Sequence, residues 1–262
     1  MPRPLPAGQC IGHALSSVRN NIAYAFRISW PWYAVFVPVV VALSALLDRT
    51  TGGNPEASPG ATFLINLIIA LVTLLAFASI AVNWHRYILL DEVPKGRDIF
   101  RLDDKTWRYF GNLLLISLAV VAAGLVVGLP LGLIGGLLGQ IDASMILIAI
   151  VIIPVIGVLA LRLGVKLPAI ALGRSDFGMR DAWSVTNGNN LPIFLIFLFE
   201  IVVALGAGLM LGALAYAANA VHGMLGIAVG FGLQLVVNWI FTIFSITVLT
   251  SLYGFFVEGR NY

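Results

Sequence analysis

Val165 to Leu195 reads VKLPAIALGRSDFGMRDAWSVTNGNNLPIFL, and this stretch decides the fold. One apolar run ends at Ala171. A short charged segment follows, carrying Trp183 and the Gly188-Asn189 step, and then a second apolar run begins. A weaker copy, HRYILLDEVPKGRDIFRLDDKTWRYFGNLLLI, occupies His85 to Ile116. Each reads as the polar linker between one pair of membrane helices and the next. Trp107-Arg-Tyr-Phe-Gly-Asn112 parallels Trp183-Ser-Val-Thr-Asn-Gly-Asn189 with one residue added, and Phe26-Arg-Ile-Ser-Trp-Pro-Trp32 reads as a degenerate first copy. Where the pairs end, Arg86-Tyr-Ile-Leu-Leu-Asp-Glu92 resembles Tyr253-Gly-Phe-Phe-Val-Glu-Gly259, and Leu167-Pro-Ala-Ile-Ala-Leu-Gly173 takes the equivalent place in the middle. The repeat distance is about 80 residues, the signature of an internal repeat. The expectation is one membrane domain of three parallel two-helix units, near 13–92, 97–173 and 176–259, each with an interfacial linker helix.

Composition supports this. Of 262 residues, 60% are hydrophobic and only 10% charged, against roughly 25% charged in a soluble domain. The apolar runs are continuous rather than alternating, so they predict helices of bilayer-spanning length, not a barrel. Six spans are predicted, near 29–47, 61–90, 111–134, 144–172, 191–217 and 221–256, which gives an all-α six-helix bundle. Pro130 with Gly132, Gly135 and Gly136 predicts a kink or break late in the third span, and Pro154 and Pro168 predict interruptions in the fourth. Gly208-x-x-x-Gly212 and Gly226-x-x-x-Gly230 have the spacing that lets helix backbones approach closely.

Outside the spans, Met1 to Gly12 reads as irregular because of Pro2, Pro4 and Pro6. His13 to Phe26 reads as an amphipathic helix with Ile11, Leu15, Val18, Ile22 and Phe26 on its apolar face. Arg101 to Tyr109 reads as a short surface helix, with Leu102 and Trp107 toward lipid. Ser175 or Asp176 is expected to cap a second one, which stops at Gly188. Neither a signal peptide nor an acylation site at Cys10, the single cysteine, is expected.

Charge sets the orientation. The basic residues cluster at the N-terminal side, around the linkers after spans two and four (Lys95 among them) and at Arg260. With six spans these fall on one side, and only Arg49 falls on the other. The positive-inside bias then places both termini in the cytoplasm. The net charge of +3 does not mark a nucleic-acid binder, because the bases are interleaved with acids, as at Asp103-Asp104-Lys105.

The Leu167–Gly173 segment, with Ala182-Trp183, Thr186 and Gly188-Asn189, resembles a group of bacterial membrane proteins. They are similar to free-standing relatives of the membrane domain fused to some glycerophosphodiester phosphodiesterases. The resemblance implies a six-helix inner-membrane protein. It implies no catalytic residue, since the hydrolytic domain of the fused relatives has no counterpart here.

Chemistry is sparse. Glu200 is the one acid deep in an apolar run, a costly placement in lipid. It is read either as a proton, cation or amine site or as a buried polar contact, with Asn66, Asn238 and Thr242 as conceivable partners. Trp84, Trp107 and Trp183 are expected to anchor in the headgroup layer. Arg162 and Lys166 are candidates for lipid phosphate contacts, beside the simpler role of positive-inside anchoring. His13, His85 and His222 have no metal spacing, and neither a phosphate loop nor a nucleophile elbow occurs, so no metal, cofactor or catalytic residue is expected. The expected partners are membrane lipids and another membrane protein. The expected role is a non-enzymatic scaffold or accessory subunit, with a permease or lipid-handling protein built on Glu200 as the alternative.

Overall fold

The computed structural model describes residues 3–94, 96–139, 141–221 and 223–262; Met1, Pro2, Lys95, Gln140 and His222 lie outside them. Its elements are helical throughout, with no strand among the described residues. A lead-in helix α1 (Ala7–Asn20) turns at Asn21 into α2 (Ile22–Thr51), followed by α3 (Pro59–Leu90) and α4 (Asp104–Leu137). After α5 (Ile141–Gly164) come two short helices, α6 (Lys166–Ala171) and α7 (Met179–Val185), and then α8 (Asn190–Val221) and α9 (Gly223–Phe256). Among the described residues, six helical stretches are long and apolar enough to cross a membrane.

Local chemistry explains most boundaries. Gly52 ends α2 in the left-handed conformation, φ 59°, which glycine adopts without a Cβ penalty. Asp103 starts α4 by accepting the Thr106 N–H through Oδ1 at 3.1 Å. Arg101 to Tyr109 therefore form no separate surface helix; from Asp104 onward they are the first turns of the span. The helix also runs through Pro130 to Leu137. The fourth span runs through Pro154 without interruption and breaks at Val165, three residues before Pro168, whose ring would clash with the Gly164 carbonyl in a continuous helix. Before α7, the Gly178 N–H donates to Asp181 Oδ2 at 2.7 Å, so the cap lies two residues beyond Asp176. Gly188, at φ 75°, is left-handed in the turn after α7, but the helix itself ends earlier, at Val185, with Thr186 right-handed.

The N-terminal segment also departs from expectation. Pro6 directly precedes α1 and its carbonyl accepts the Cys10 N–H at 3.0 Å, so Ala7 to Gly12 are helical. The helix expected over His13 to Phe26 is divided at Asn21, and its apolar face divides too: Cys10 and Ala14 of α1 are fully buried against α8 and α9, with Ile11 and Val18 packed beside them, whereas Leu15 of α1 and Ile22 and Phe26 of α2 are exposed.

The spans form three antiparallel hairpins, α2–α3, α4–α5/α6 and α8–α9. The ends of their second helices meet in the middle, α3 against α6 and α9, and α6 against α9. Each following hairpin leans on the one before: α4 packs on α3, and α8 on α5. The circle closes where Trp239 on α9 donates to Ser29 Oγ on α2 at 2.6 Å and sets its ring edge-on to Phe26.

Burial is concentrated at the linker end. There Ala76 to His85 of α3, Leu167 to Ala171 of α6 and most of Ile243 to Phe255 of α9 are buried. At the other end the helices touch little beyond their own hairpin, and Leu137, Leu209 and Tyr216 are 87%, 77% and 79% exposed. In lipid, apolar surface alone does not draw helices together, so close packing and buried hydrogen bonds must hold the linker end. Two glycines provide close approach. A Cβ at Gly157 would strike the Phe197 ring of α8, and one at Gly164 would lie 2.8 Å from Leu249 of α9. The expected Gly208-x-x-x-Gly212 strip plays no such part within the chain, since nothing lies within 4 Å of where either Cβ would stand.

Candidate functional site

Glu200 sits on α8 where α1 and α9 cover it, with 8% of the residue exposed. Ser245 of α9 lies beside its carboxyl, and Cys10 of α1 is close enough for the carboxylate to affect the thiol. Carboxyl Oε1 is buried without any hydrogen-bond partner. Burial first, and then Glu200, push the Cys10 thiol up to about 12, which makes it unreactive. Neither expected amide partner is present. Asn66 and Asn238 are both exposed, and Thr242 lies beside the Tyr33 hydroxyl. The large cleft nearby, about 400 Å³ between α1, α8 and α9, is lined by Phe199, Val203 and Phe244 among others and not by Glu200. Glu200 thus lies in a helix contact between α1, α8 and α9, outside the walls of that cleft.

The polar groups cluster elsewhere, at the seams between hairpins. His85 of α3, fully buried, pairs through Nδ1 with Thr250 Oγ1 of α9 at 2.8 Å and through Nε2 with the Tyr109 hydroxyl of α4 at 3.2 Å. At the seam between α1 and α9, His13 Nδ1 pairs with Ser251 Oγ at 2.8 Å, while the His13 ring stacks on Tyr262. Burial and then Arg260 hold the His13 imidazole below its ordinary value, both disfavouring its charged form.

Three arginines close the linker face in a cycle. Arg86, near the end of α3, donates to the Ala171 carbonyl at the end of α6, 2.9 Å. Arg174, just past α6, donates to the Tyr253 hydroxyl on α9, 3.1 Å. Arg260, just past α9, donates to the Leu89 carbonyl at the end of α3, 3.2 Å. Each also has a local acid: Glu92 for Arg86, Asp176 for Arg174 and Glu258 for Arg260. Hydrogen bonds from Arg86 foremost, and from Arg101, hold the Glu92 carboxyl down at about 2. A bond from a charged donor contributes about 1.5–3 kcal/mol. Sequence reading missed this cycle. The available signal was a basic and an acidic residue near the close of each second helix, obscured because their order and spacing differ.

Arg162 on α5 is 3% exposed. Its Nε donates to Thr186 Oγ1 at 2.9 Å, one Nη to Asn190 Oδ1 and the other to the Trp183 carbonyl, each at 2.8 Å. The guanidinium carbon lies 3.5 Å from the Trp183 ring centroid, a cation–π contact. Every one of these partners is neutral, and no carboxylate pairs with Arg162 among the described residues. Lys166, half-buried, makes no hydrogen bond or ion pair among them and does not line the cleft beside Arg162.

The expected anchors divide. Trp107 and Trp183 are 51% and 46% exposed at the linker end. Trp84 has no exposed surface, because Tyr24 and Tyr87 sit against it; it is a core residue that contacts protein and not lipid. No group of His, Cys, Asp and Glu that could hold a metal occurs among the described residues. Set against known protein families, curated proteins and solved structures, the chain has no significant match.

Proposed function

We propose that this chain is a non-enzymatic scaffold or accessory subunit of the bacterial inner membrane, with both termini and the clasped linker face in the cytoplasm. The observation that carries this reading is the placement of Glu200. A coupling acid needs a polar route to both the ion and water, whereas Glu200 lies in a buried helix contact with one oxygen unpartnered. The arginine cycle adds support, since its donors are committed to backbone and side-chain acceptors of the bundle itself. The same cycle favours reading the hairpins as three parallel repeats closed on themselves. The segregated basic residues support the orientation.

A scaffold needs a free surface for its partner. Gly208 and Gly212, four residues apart on one face, leave a flat, open strip on α8 that a helix of another membrane protein could approach closely. A photoreactive side chain at Leu209, beside that strip, should give one discrete protein adduct in the native membrane, lost in Gly208→Leu. Adducts with lipid alone would defeat the proposal.

A further inference from the structure

We infer that the cleft beside Arg162 binds one anionic phospholipid of the leaflet at the linker end, its phosphate at the guanidinium and an acyl chain along α5 and α8. The cleft has a volume of about 510 Å³ and lies between those helices under Trp183. Its floor is apolar, formed by Val155, Val158, Leu191 and Phe194. From Arg162 to Pro154 it follows α5 for about 12 Å toward the membrane midplane, at 1.5 Å per residue. Polar groups are confined to one end, at Arg162 and Asn190. A phospholipid has this distribution of charge and oil.

Charge complementarity names the head. Arg162 is almost wholly buried, and its three hydrogen-bond acceptors are all neutral. A buried cation left without an anion is unfavourable. Three of the five guanidinium N–H groups are committed, which leaves two for phosphate oxygens. The first turn of α8 ends at the same place, and its helix dipole favours an anion there. The seam between α9 and α2 provides a contrast. Its smaller cleft, about 140 Å³ and lined by Phe26, Tyr33 and Trp239 among others, has no charged residue on its walls. The inference concerns lipid occupancy and does not depend on the scaffold reading.

Native mass spectrometry of the full chain, titrated in detergent with phosphatidylglycerol and separately with phosphatidylcholine, tests it. The anionic lipid should be retained at least about tenfold more tightly, because the choline ammonium of the zwitterionic lipid offsets its phosphate charge beside the guanidinium. Arg162→Gln should erase that preference. Because Arg162 also ties α5 to the following linker, Val155→Trp is the second variant. It fills the chain channel from an exposed position and removes no hydrogen bond. It should weaken phosphatidylglycerol retention with an unchanged melting temperature. Equal retention of the two lipids by the native protein, or native retention by folded Val155→Trp, would overturn the inference.

Discussion

Replacing Glu200 with methionine is the sharpest perturbation of the bundle. The carboxyl is covered by α1 and α9, and Oε1 has no partner. An unmade hydrogen bond on a buried polar group costs about 1–3 kcal/mol. Methionine nearly conserves the volume and removes that polar atom, so Glu200→Met should leave stability unchanged or raise it by up to ~1–3 kcal/mol. Glu200→Gln keeps the shape and should cost about 1 kcal/mol or less. Glu200→Ala opens a cavity against Cys10 and Ser245 and should lose about 2 kcal/mol, since the cavity cost exceeds the relief of the orphan oxygen. Thermal melting of the detergent-solubilised protein, followed by size-exclusion chromatography, ranks the three. The order Met, Gln, Ala, from most to least stable, fits a buried structural contact. If methionine were the worst of the three, the carboxyl would be making a contact that matters, and the reasoning would be wrong.

Tyr109→Phe removes the hydroxyl from His85 Nε2 inside the core and should cost about 1–3 kcal/mol, read as a lower melting midpoint. Trp84→Ala should cost about 3–5 kcal/mol, whereas Trp107→Ala, at an exposed position, should change the midpoint little; comparable losses would contradict the burial of Trp84. The Glu92 carboxyl is held below its ordinary 4.5, so its contribution to stability is complete above that pH and is lost as the pH falls toward about 2. Melting midpoints across that range should decline less steeply in Glu92→Gln, though solvent screening of this part-exposed group keeps the effect modest. A reporter fused after Tyr262 should be active in the cytoplasm and one placed within Thr50 to Gly60 outside it. An exported C-terminus would refute the orientation.

The sequence by itself determined the six spans and the linker chemistry, because length, continuous hydropathy and left-handed turns such as those at Gly52 and Gly188 act locally. It did not determine which face of a helix turns inward. In lipid, a large apolar side chain is as content outside as in. Thus Leu15, Ile22 and Phe26 face outward while Cys10 and Ala14 pack, and the Gly208 strip stays open while Gly157 and Gly164 make the contacts. Hydropathy could not separate Trp84 from Trp107, since both lie near linkers and only their neighbours differ. The decisions left to tertiary structure are the long-range ones. Arg86, Arg174 and Arg260 each reach the end of a helix from another hairpin. Arg162 meets Thr186 and Trp183 only once α5 and the turn before α8 are brought together. Glu200 was conspicuous in the sequence as an acid in an apolar run, but its burial follows from α1 folding across α8 and α9, a contact between distant segments that no local pattern encodes.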